Sequence, residues 1–166
     1  MCCVAPWCRP CAKPAIEVSQ SGTLALIEND EMHTEEKQPS ETPFEWIGGE
    51  SRVKLLVDRF YDLMDLEPGY TELRAAHGPE LANARERLFM FLCGWLGGPD
   101  YYIEKHGHPR LRMRHMPFSI GIKERDQWVA CMDQAMAETG VPDDLRTRLK
   151  TSFFQTADWM RNKGVA

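Results

Sequence analysis

The chain has no apolar run approaching the roughly 18 residues that a membrane span requires, so no spanning helix is expected. It has no surplus of basic charge. Twenty Lys and Arg stand against 25 Asp and Glu, a net charge of -5, which gives no general electrostatic reason to bind nucleic acid. Its first residues lack a basic stretch followed by an apolar one, so no secretory signal is read there and a cytoplasmic location is expected. Internal repeats are absent. So are stretches of strict apolar/polar alternation, the mark of a half-buried strand, and β architectures are set aside on that ground. The six cysteines are too unevenly placed for a disulfide-stapled secreted fold. Cys2, Cys3, Cys8 and Cys11 crowd the start, while Cys93 and Cys131 stand alone in helical patterns and read as small apolar fillers.

What is present is enough for one core. At 166 residues and 43% hydrophobic, the chain suits a single domain with a tail. Residues 1–45 carry Pro6, Pro10, Pro14, Pro39 and Pro43 and an acidic run through Glu28, Asp30, Glu31, Glu35 and Glu36. They bury too little to offset their ordering entropy and are expected to form a disordered extension. Trp7-Cys8-Arg9-Pro10-Cys11 looks like a thioredoxin active-site motif with Arg9 in place of the usual glycine. No strand precedes it and no βαβ unit surrounds it, so a plain extension is preferred to a redox or metal-binding role.

Residues 46–166 read as an all-α domain. Ser51 is a plausible N-cap, followed by the stripe Val53, Leu56, Val57, Phe60, Tyr61 and Met64. Pro68-Gly69 ends that helix, and a loop runs through Ala75, Ala76, His77, Gly78 and Pro79, the last of which suits the first position of the next helix. Leu81, Ala84, Leu88, Phe91, Leu92 and Trp95 line this second helix, and Gly97-Gly98-Pro99 stops it. A polar link anchored by Tyr101 and Tyr102 reaches His106. Between Pro109 and Pro117 only about two turns of helix fit, and this segment carries His108 and His115. A helix over about Lys123–Glu138 buries Trp128, Cys131 or Met132, and Ala135. The last helix starts near Pro142, with Asp143 and Asp144 at its positive end and Leu145, Leu149, Phe153, Thr156 and Met160 inside.

A histidine at the end of a short helix pinned by proline is a good mount for one fixed imidazole. Tyr102 to Trp128 closely resembles the group II (O-type) truncated haemoglobins. The residues that carry the resemblance are Gly97-Gly98-Pro99, Tyr102, Gly107-His108-Pro109, Leu111-Arg112, Arg114-His115, Pro117-Phe118 and Glu124-Arg125-Asp126 with Trp128. Upstream, Arg59-Phe60-Tyr61 and Arg87-Leu88-Phe89-Met90-Phe91-Leu92 extend it, so it runs from about residue 46 to the end. The resemblance implies a two-over-two helical sandwich around one haem b.

Haem needs a neutral imidazole for its iron, an apolar slot, and positive charge for its propionates. By resemblance His115 is the axial iron ligand. Leu88, Phe91, Met113, Phe118 and Trp128 become candidate walls, Tyr102 borders the cofactor, and Arg87, Arg112 and Arg114 are candidate propionate partners. His108 reads as a helix-start residue. A zinc site built from His106, His108 and His115 is the rival, but it lacks a cysteine pair and the usual structural-zinc spacing. Tyr61 and Trp128 occupy the family's distal polar positions, and His77 fills the loop position beside the haem. Ala84 falls where other globins place a distal histidine or glutamine, which leaves the donor role to Tyr61, Trp128 and His77.

The resemblance implies binding of dioxygen and of other small ligands: nitric oxide, carbon monoxide or peroxide. An oxygen-binding protein and an enzyme of nitric oxide or reactive-oxygen chemistry stay open side by side. A haem-dependent peroxidase or a redox sensor using the N-terminal cysteines is the alternative. No reductase domain is present, so turnover would need a separate electron donor. Monomer and homodimer both remain open.

Overall fold

The computed structural model describes residues 42–164. The cysteine-rich and acidic stretch, with its motif at residues 7–11, lies outside them. Helix α1 (Pro43–Ile47) is the first element. The Thr42 hydroxyl accepts from the Glu45 backbone N–H at 3.2 Å, and the Glu45 carboxylate accepts from the Thr42 backbone N–H at 2.9 Å. This is a capping box with proline at the first helical position, where the missing N–H costs nothing. Ile47 is buried, and the Phe44 N–H donates to the Leu96 carbonyl at 3.0 Å. The boundary expected at residue 46 therefore falls inside a packed helix. Pro43, counted from sequence with the disordered extension, is a helix start.

Helix α2 (Glu50–Leu66) buries Val53, Leu56, Val57, Phe60, Tyr61 and Met64, the stripe expected of it, together with Leu63. Its N-cap is Gly49 at φ 76°, not Ser51. A 3-10 turn (Pro68–Tyr70) leads to α3 (Thr71–Ala76), a helix where only a loop was expected. Six residues are too few for a legible stripe. Helix α4 (Ala82–Trp95) begins later than Pro79. Arg74 donates to the carbonyls of Gly78 at 3.0 Å and Pro79 at 3.3 Å, the acceptors that a helix starting at Pro79 would have used for its own ladder.

The link after Gly97-Gly98-Pro99 is also helical: α5 (Tyr101–His106), with Tyr102 buried. Helix α6 (Leu111–His115) follows Arg110, whose φ is 44°. Helices α7 (Ile122–Glu138) and α8 (Asp143–Met160) lie close to their expected spans.

Helices α2 and α4 form one layer and α7 and α8 the other, with α7 packed on both α8 and α2. This is the two-over-two sandwich. Phe60, Leu92, Met132, Met136, Leu145 and Leu149 fill the space between the layers at no more than 1% exposure, each worth about 1.5–3 kcal/mol for leaving water. Cys131 packs there too, its thiol donating to the Phe60 carbonyl at 3.4 Å. Burial pushes that thiol's pKa up to about 12, so it acts as a filler and not as a nucleophile. Among the described residues no helix is long and apolar enough to cross a membrane.

Candidate functional site

Helix α6 ends on His115. The ring atom Nδ1 lies 2.7 Å from the Leu111 carbonyl. A carbonyl only accepts, so the proton sits on Nδ1 and Nε2 is left with its lone pair. The ring stands 6.3 Å from that of Phe118. No residue of α6 is fully buried, and Met113, Met116 and Phe118 are 58%, 55% and 47% exposed. Large apolar side chains left exposed on and just after the helix that carries the imidazole make a surface that a ligand would cover. His108 is exposed, and its Nδ1 accepts from the Arg110 N–H at 3.1 Å, in keeping with a local turn role.

Tyr61 comes from α2, His77 caps α3, and Trp128 comes from α7. Tyr61 is 4% exposed. Its ring meets Phe60 edge-on at 5.1 Å and His77 edge-on at 6.1 Å. Trp128 leans on Phe60 at 5.4 Å and meets Phe153 at 5.6 Å. The Arg85 guanidinium lies 5.5 Å from the Tyr61 ring centre, tethered to Asp58 and Asp62. Burial raises the Tyr61 pKa against the pull of Arg85, and the hydroxyl forms no hydrogen bond to another described residue. It keeps its proton and has it available.

His77 is a different case. Its Nδ1 lies 2.9 Å from the Leu73 carbonyl, so the proton is spent on that bond and neutral His77 offers an acceptor at Nε2. The three donors expected from sequence are two donors and one acceptor. Burial holds the His77 pKa below its ordinary value despite the Leu73 bond, and the charge of Arg74 acts in the same direction.

On α4, Ala84, Leu88 and Phe91 are half-buried and Arg87 is exposed. Phe91 meets Tyr102 edge-on at 6.4 Å, and the Arg114 guanidinium lies 5.9 Å from the Tyr102 ring centre. Arg112 does not stand free. It donates to the carbonyls of Trp159, in the last turn of α8, and, at 3.2 Å, of Arg161 just after it. Three residues with no signal in the sequence also shape the site: Arg85, Gln127 and Asn162. Each is a single polar side chain whose partners are distant in the chain. Gln127, beside Trp128, accepts from the Leu73 N–H at 2.9 Å and so ties α3 to α7.

Residues 42–162 match the bacterial-like globin family. The chain belongs to that family. It is 36% identical over 129 residues to the group 2 truncated haemoglobin YjbI of Bacillus subtilis, covering 78% of this chain and 95% of that one. A solved structure of a cold-adapted truncated haemoglobin from Pseudoalteromonas haloplanktis is 44% identical at a TM-score of 0.72, covering 75% of this chain and 100% of that one. A group II two-on-two haemoglobin from Agrobacterium tumefaciens is 40% identical at a TM-score of 0.73, covering 77% and 99%.

Membership in the globin family implies a haem cofactor and diatomic gases such as dioxygen as ligands. The residues present fit that group: an imidazole bonded through Nδ1 with Nε2 left over, exposed apolar side chains on and just after its helix, and a buried tyrosine that keeps its proton.

Proposed function

We propose that this globin holds haem b through His115 and binds dioxygen in a pocket made polar by Tyr61, Trp128 and His77. The observation that carries the reading is the His115 Nδ1 bond to the Leu111 carbonyl. It fixes the tautomer and makes the imidazole a better electron donor at Nε2. When bound, the haem supplies an iron centre that takes a small diatomic ligand; the other roles belong to the chain. Leu88, Phe91, Met113 and Phe118 wall the slot and keep water out. Arg87 and Arg114 are the propionate partners, and Tyr102 braces that side by packing on Phe91 and Arg114. Arg112, anchored to α8 and the residue after it through one guanidinium nitrogen, is a third candidate partner. Tyr61 and Trp128 present hydrogens to a polarised ligand, and His77 accepts.

Two donors favour dioxygen over carbon monoxide and slow its release. Nitric oxide or peroxide chemistry fits the same pocket, with electrons from a separate donor. The test is the visible spectrum of the purified, haem-loaded protein. A ferrous histidine-ligated spectrum that changes on adding dioxygen or carbon monoxide is expected, and a ferrous spectrum without histidine ligation would overturn the reading.

A further inference from the structure

Packing alone does not hold α6 in place, since none of its residues is fully buried. The chain beyond α8 holds it with polar bonds. The Asn162 side-chain amide donates to the His115 carbonyl at 3.1 Å and to the Phe118 carbonyl at 2.6 Å. Its Oδ1 accepts from the Ile120 N–H at 3.0 Å. The backbone N–H groups of Asn162 and Lys163 both donate to the Ile120 carbonyl, at 3.0 and 3.1 Å. The amide orientation is determined by its partners: turned over, oxygen would face two carbonyls and nitrogen a donor. Arg112 adds a second tie from α6 to the carbonyls of Trp159 and Arg161.

We propose that Asn162 is a positioning residue for the proximal histidine. The Leu111 bond sets the His115 ring relative to α6, and Asn162 sets the end of α6 relative to α8. Together they decide where Nε2 lies and how strongly it pulls on the iron. The residues after α8 thus tune the proximal bond through the His115 backbone. This role rests on His115 being the ligand.

Asn162→Asp is the informative variant. It keeps the oxygen that accepts from Ile120 and leaves the backbone bonds alone, but removes both donations. The readouts are the iron–histidine stretching band of the ligand-free ferrous protein in resonance Raman, the rate of haem loss to an acceptor globin, and the melting temperature of the haem-free protein. Arg146→Ala, which cuts ties to Asp133 and Asp143 away from α6, is the stability control. The Asn162 variant is expected to shift the band and lose haem about tenfold faster, the effect of one or two lost bonds. Its melting temperature should fall no further than the control's. Asn162→Ser, which adds no charge, is measured beside it and decides the matter should the Asp variant fail to load haem. A parent-like band in the loaded Asn162 variants, with His115→Ala lacking that band, overturns the proposal alone. A parent-like band in His115→Ala would take down the ligand assignment and the proposal together.

Discussion

The two walls of the site are built in opposite ways. The distal wall is part of the core. Tyr61 and Phe60 are buried on α2, Trp128 packs between Phe60 and Phe153, and α7 is clamped between α2 and α8. The proximal wall is a five-residue helix with no fully buried residue and with Met113 and Phe118 half in water, held at its ends by hydrogen bonds. Burial of several large side chains on α2 is worth many kcal/mol, whereas a net hydrogen bond is worth about 0.5–1.5. On the proposed reading, a distal wall fixed by the core is therefore set against a proximal helix held by a few hydrogen bonds.

The largest expected effect strikes the proximal wall. His115→Ala removes the imidazole proposed as the iron ligand, and α6 carries no other histidine. Tight haem binding should be lost, read as haem content after purification and as the ferrous spectrum. A variant that keeps a normal histidine-ligated spectrum would mean that another residue is the ligand.

Next comes removal of the haem from the parent protein. Hydrogen exchange followed by mass spectrometry should show α6 and the turn to Ile120 losing most of their protection, while α2 and α7 keep theirs. Equal loss on both walls would erase the contrast between them.

Much of this was legible beforehand, and the divide follows burial. The α2 stripe from Val53 to Met64, and Leu145, Leu149 and Phe153 on α8, are long periodic patterns facing one core, and each is buried. Helices α3 and α5, of six residues each, are too short to show a period, and α1 was hidden behind its proline. On α4 the stripe was seen, but Leu88 and Phe91 are only half-buried. The family motif drew attention to α6 and His115. It could not show that Arg112 bonds to the end of α8, that the His77 Nδ1 proton is spent on Leu73, or that Asn162 bonds to the end of α6. Those depend on distances between residues far apart in the chain.

Within the distal wall, Trp128→Phe removes an N–H and keeps an aromatic filler. A hydrogen bond to a charged or strongly polarised acceptor is worth about 1.5–3 kcal/mol, so dioxygen release should speed up about ten- to a hundredfold. Tyr61→Phe should do less while Trp128 remains, and the double variant should exceed either. Carbon monoxide is less polarised, so its release should change far less. Equal acceleration of both gases in stopped flow would mean that these residues act by obstruction and not by hydrogen bonding.

The smallest effect concerns His77 and has a definite sign in pH. Burial lowers its folded pKa below the ordinary 6.5, so between the folded and unfolded values the unfolded chain binds more protons. The stability that neutral His77 contributes is complete above about 6.5 and is lost as pH falls through the folded pKa. The groups that bear on this ring are the Arg74 charge, which opposes protonation, the Leu73 carbonyl, which favours it, and the edge of Tyr61. Protonation also changes function. With Nδ1 still bonded to Leu73, the added proton goes to Nε2 and turns an acceptor into a charged donor. Dioxygen release should therefore slow in acid, by about tenfold at most if one charge-assisted bond of about 1.4 kcal/mol forms. In His77→Phe the release rate should be flat over the same range, and Tyr61→Phe should keep the slope. Stopped-flow release between pH 5 and 8, confined to the range where the melting curve shows the protein folded, decides it. A slope that survives in His77→Phe would place the titrating group elsewhere, and acceleration in acid would mean that protonation opens the distal wall before it can donate.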